Sequence, residues 1–143
     1  MSSYADRSFV ASLYLPDANS AEAARRMQRL SLPVLIKPLG ELELINAVQL
    51  RLFRKEVRPA EARAANAAFH ADLREGLFAM RALSDYMFGG SATQLASRRT
   101  VRLGARAASI SFTSLQQSPC ADPFDTFDDR QRKLAKAARL HVA

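Results

Sequence analysis

Three acids stand where this chain could do chemistry. Asp6 follows Ser2-Ser3-Tyr4-Ala5, Glu43 lies early in the run Leu39–Arg54, and Asp128 closes Phe124-Asp125-Thr126-Phe127-Asp128. Taken singly, each has an ordinary reading: Asp6 suits a helix N-cap, and Glu43 suits a solvated helix position. Gathered by a fold they would mean more. Carboxylates from distant segments repel one another unless a hard divalent cation neutralises them, and oxygen ligands with retained waters are what Mg²⁺ prefers. Such an ion can activate a water and stabilise charge on a phosphate under attack.

The elements that must position these acids follow from the hydrophobic pattern. A brief strand ends at Asp6 and a helix starts at about Arg7, which puts Asp6 at the carboxyl end of a strand. In an open α/β sheet that edge is the usual place for ligands. Pro16-Asp17-Ala18-Asn19-Ser20 is a turn cluster. A second helix runs from Ser20 to about Leu30, its Arg25, Arg26 and Arg29 read as a solvated basic face. Leu32–Ile36 has strand length.

Leu39–Arg54 reads as a helix with apolar positions Leu42, Ile45, Leu52 and Phe53. Asn46 lies one turn after Glu43 on the same side, and Glu41 is an ordinary first-turn acid. A further helix spans Arg58 to about Leu73, with Pro59 early and Phe69 and Leu73 as anchors. Leu77–Met80 is a brief strand or extended link, and a helix opens at Ser84 and breaks at Gly89-Gly90. It resumes over Ala92–Ala96, before the basic run Arg98–Arg102. Gly104–Cys120 has no clean period. Regularity returns with Phe124–Asp128 as a strand ending in an acid, Asp129–Ala138 as a basic helix and Leu140–Val142 as a closing strand. The β–α alternation predicts an α/β fold on a short, mainly parallel sheet.

With 143 residues and no internal repeat or linker, the chain reads as one domain, 1–143. Its 48% hydrophobic and 24% charged residues are those of a soluble globular protein. No apolar run approaches the roughly 20 residues of a membrane span, and Met1–Leu15 lacks a leader pattern. A cytoplasmic location with no membrane role is expected. The single Cys120 excludes an internal disulfide and a cysteine-built zinc site. His70 and His141 have no metal-ligand spacing. Net charge is +7, which brings RNA or DNA into view as a partner class.

The order Tyr4-Ala5-Asp6, then Glu43-Leu44-Ile45-Asn46-Ala47, then Thr126-Phe127-Asp128 resembles the PIN-domain family, particularly toxin ribonucleases of the VapC kind. The resemblance spans nearly the whole chain and implies a PIN-like three-layer α/β/α domain. It implies an endoribonuclease that uses Mg²⁺ or Mn²⁺, with Asp6, Glu43 and Asp128 as the metal-binding and catalytic acids. Ser8 and Thr126 become their supporting hydroxyls, although Arg7 occupies a place where a small hydroxyl residue is common. RNA as substrate, an antitoxin protein as partner and a homodimer as an assembly are further implications. A non-catalytic PIN-like protein that binds an antitoxin or RNA is the alternative.

One acid of the pattern is missing. In similar toxins the segment after Leu-Gly resembles Arg-Ser-Leu-Asp-Ile-Leu-His-Val-Ala-Ser-Ala. Here Leu103-Gly104-Ala105-Arg106 is followed by Ala107-Ala108-Ser109-Ile110-Ser111-Phe112. Ser109 stands at the degenerate acid position, and Phe112 where a His is frequent. Synonymous codons exist for Ala107–Ala121 which, read from the last base of Arg106, give Arg-Ser-Leu-Asp-Ile-Leu-His-Val-Ala-Ser-Ala-Ile-Ala-Leu-Arg. The Asp codon then straddles Ser109 and Ile110. A frame slip near Arg106, compensated near Ala121, accounts for the lost acid, the lost His and the lost helical period together; drift of a loop is the alternative. The chain as written is therefore expected to be impaired in activity. Ser109, Ser111, Thr113, Gln116 and Gln117 at former apolar positions predict an irregular segment and marginal stability.

Overall fold

The computed structural model describes residues 2–81 and 121–143. The run Tyr4-Ala5 lies in strand β1 (Ser2–Ala5), and Leu32–Ile36 contributes β2 (Val34–Ile36). Strands β3 (Phe78–Met80) and β4 (Ala121–Asp125) complete a four-stranded sheet in the order β3-β2-β1-β4. All three pairings are parallel. Parallel neighbours need long crossovers, and the intervening sequence supplies them as helices. Helices α1 (Arg7–Tyr14) and α2 (Ser20–Met27) join β1 to β2, while α3 (Gly40–Phe53) and α4 (Pro59–Arg74) join β2 to β3. Helix α5 (Asp129–Ala137) follows β4.

Side chains alternate across the strands, so the sheet buries both faces. Ala5, Val34, Ile36 and Phe78 pack with Phe9 and Val10 of α1, Leu44 and Val48 of α3, and Ala62 and Phe69 of α4. On the opposite face Tyr4, Leu35 and Phe124 pack with Leu134 and Ala135 of α5. The result is a small three-layer α/β domain, as the β–α alternation predicts. Phe9 and Phe69 anchor the larger core; truncating either to Ala costs about 3–5 kcal/mol on general grounds.

Three local expectations need correction. Helix α3 occupies the predicted span but buries Leu44 and Val48, with Leu52 partly covered. Leu42 is exposed and Phe53 is 84% exposed. The buried stripe is i, i+4, i+8, and the 42-45-52-53 reading mixed two faces of the helix. The last strand ends at Asp125 rather than Asp128, so the acid at its tip is a different one. Leu140–Val142 forms no strand beyond a parallel bridge from Val142 to Phe124. The readings of Ser84–Arg102, Gly104–Cys120 and Ser109 fall outside the described residues.

Candidate acid site at the carboxyl edge of the sheet

The chain leaves β1 towards β2 on one side, while β4 pairs with β1 on the other. That reversal of direction opens a crevice outside the carboxyl end of β1, and Asp6 is the first residue beyond it. Both readings of Asp6 hold at once. Its carboxylate caps α1, with Oδ1 accepting the Phe9 N–H at 3.1 Å. The same Oδ1 accepts the Ser8 hydroxyl at 2.7 Å, and Oδ2 accepts the Thr126 hydroxyl at 2.9 Å. The hydroxyls are fixed in turn: Ser8 Oγ accepts the Phe127 N–H at 2.9 Å, and Thr126 Oγ1 accepts the Asp128 N–H at 3.1 Å. A residue near the start of the chain is thereby bolted to one near its end.

Burial pushes the Asp6 pKa up, the three hydrogen bonds pull against it, and the negative charge of Asp128 adds to the rise. Asp128 caps α5, its Oδ1 accepting the Arg130 N–H at 2.8 Å.

Glu43 is held differently. It sits in the first turn of α3, and Lys37 Nζ lies 2.7 Å from its Oε1. Lys37 is the residue after β2, only 4% exposed, and it lines a small cavity together with Asp6, Arg7 and Gly40. Glu43 Oε2 is buried and accepts no hydrogen bond among the described residues. Glu41 is a first-turn acid of α3, as read, and also bonds His70 of α4 at 2.7 Å.

Asp6, Ser8, Thr126 and Asp128 thus come together, while Glu43 belongs to an ion pair beside them. Among the described residues, no three His, Cys, Asp or Glu side chains are grouped to hold a metal ion. Asp6 and Asp128 offer the hard oxygen donors a divalent cation takes. As built, Glu43 does not join them, and the described residues do not complete a divalent site.

Two participants escaped the sequence reading. Lys37 ends the apolar run Leu32–Ile36 directly before Pro38, and a cation closing a buried strand was the available signal. Asp125 is fully buried and neither of its carboxylate oxygens accepts a hydrogen bond among the described residues. Arg26 Nη1 stands 3.8 Å from it, and the same guanidinium lies over the Phe127 ring at 5.0 Å. Burial raises the Asp125 pKa to about 6, with Arg26 opposing the shift and Asp6 reinforcing it. Arg26, read as solvated, is half-buried, pairs with Glu22 at 2.9 Å and reaches towards Asp125. No protein-family model and no curated protein matches the chain. No described helix is long and apolar enough to cross a membrane.

Proposed function

We propose that this chain is of PIN type, descended from a Mg²⁺- or Mn²⁺-dependent endoribonuclease, the toxin of a toxin–antitoxin pair, with its activity impaired. One observation carries the reading. A buried aspartate stands at the crevice of a parallel sheet, held by the hydroxyls of Ser8 and Thr126, and Thr126 also accepts the N–H of a second aspartate, Asp128. Asp6 and Asp128 are the donors that would hold a cation there. When bound, such an ion supplies Lewis-acid stabilisation to a phosphate and a more acidic water. The residues themselves orient: Ser8 and Thr126 lock the Asp6 carboxylate, and the excess of cations on the chain favours a phosphate backbone. Impairment follows from Ser109, which brings no charge to the ion.

The test is to replace Ala107–Ala121 with the back-shifted reading. The repaired chain should cleave RNA with Mg²⁺ or Mn²⁺ while the present chain does not, and Asp6→Asn in the repaired chain should abolish cleavage. Equal cleavage by both chains would show that the missing acid is dispensable. A second reading, a non-catalytic protein that binds an antitoxin or RNA, is favoured by the engagement of Glu43 with Lys37 rather than with the other acids. No cleavage by either chain would select it.

A further inference from the structure

We infer that Lys37 is a built-in cation that competes with a divalent metal for Glu43, withholding Glu43 from the edge built on Asp6 and Asp128. The inference rests on the acid-site reading above and concerns how that site is regulated. Lysine is almost never fully buried unless paired, and Lys37 is nearly so, with its ammonium 2.7 Å from Glu43 Oε1. The opposite oxygen, Oε2, is buried and idle among the described residues. A carboxylate with one oxygen neutralised by an internal ammonium and the other without a donor is a ligand already spoken for.

Space argues the same way. The cavity that Lys37 lines with Asp6 and Gly40 has a volume of about 10 Å³, room for one water at most. A divalent cation that keeps several of its waters does not fit this cavity while the lysine stem lines it, and an ammonium beside a dication is repelled. Ammonium and metal therefore compete for Glu43. For Glu43 to turn towards Asp6 and Asp128, Lys37 must first swing out.

Mn²⁺ titration calorimetry on the full chain, with Mn²⁺-dependent thermal shift as a second readout, separates the possibilities. Lys37→Ser removes both charge and bulk, and its Mn²⁺ affinity should rise at least about tenfold. Lys37→Met keeps most of the volume, guards against a variant that fails to fold, and should show a smaller rise. Adding Glu43→Gln to Lys37→Ser should cancel the gain, because Glu43 is the contested donor. Equal Mn²⁺ affinity in the parent and both Lys37 variants, lost on Asp6→Asn, would overturn this competition and leave the acid site standing. A gain that survives Glu43→Gln would also overturn it. Absence of Mn²⁺ binding from every variant would overturn the competition and the acid-site reading together.

Discussion

Two acids, one just after β1 and one in the helix that follows β2, are satisfied in opposite ways. Asp6 is held by two hydroxyls and a backbone N–H, all neutral donors. Glu43 is held by an ammonium. Neutral donors fix a carboxylate in place without cancelling its charge, and the burial that works against that charge at Asp6 is what a cation would relieve. A lysine cancels the charge it binds, so Glu43 is electrostatically spent. The difference teaches that geometry and availability are separate properties of a site: all three acids can lie near one edge while only Asp6 and Asp128 remain open to a ligand.

Breaking the charged half should have the largest effect. Glu43→Leu strands the Lys37 ammonium in a nearly closed position, and urea unfolding should show a loss of about 3 kcal/mol. The double variant Lys37→Met/Glu43→Leu should return to within about 1 kcal/mol of the parent, since paired charges exchanged for apolar groups are often neutral. A double variant as unstable as the single would mean the pair is not what holds this region.

The neutral half is probed by Thr126→Val, which keeps shape and removes the donor to Asp6 Oδ2 and the acceptor for the Asp128 N–H. A loss of about 2 kcal/mol is expected, from one buried and one part-buried group left without partners. A chemical-denaturation midpoint unchanged by Thr126→Val would dismiss the bolt between chain start and chain end.

Asp125 sharpens the comparison as an acid that accepts no hydrogen bond among the described residues and has only a long ion pair, 3.8 Å to Arg26. Its pKa is raised by burial to about 6, so between pH 3.8 and about 6 the folded chain holds a proton that the unfolded chain has lost. Its contribution to stability therefore falls as pH rises through that window and stays constant above it. Asp125→Asn should raise stability by about 1–2 kcal/mol at pH 7, the gain fading below pH 4. Thermal melts of both proteins from pH 4 to 7 check the sign; a variant less stable at pH 7 would show that the ion pair with Arg26 outweighs the burial cost.

The smallest effect belongs to Phe53, which is 84% exposed. Phe53→Ser should change stability by less than about 0.5 kcal/mol in a urea melt, against a clear loss for Val48→Ala on the buried stripe.

Much of the frame was legible. The strand ending before Asp6, the helix spans of α2 to α5 and the parallel sheet all follow from runs of apolar residues bounded by Pro, Gly and Ser. The facing of α3 was not, because Leu42, Leu44, Ile45, Val48, Leu50, Leu52 and Phe53 leave too many apolar choices for one stripe to stand out. The end of β4 was misplaced because Asp125 looks like a surface residue, and only the fold reveals that it faces inward towards Arg26. Lys37 and Glu43 are six residues apart, across a helix start. No periodicity rule brings such a pair together; the turn after β2 does.

The central claim, that the edge built on Asp6 and Asp128 is where this chain takes a cation, is tested most directly by paramagnetic broadening. Substoichiometric Mn²⁺ added to the ¹⁵N-labelled chain should selectively weaken the amide signals of Asp6, Arg7, Phe127 and Asp128, and Asp6→Asn should restore them. Uniform broadening, or broadening centred elsewhere and unaffected by Asp6→Asn, would contradict it.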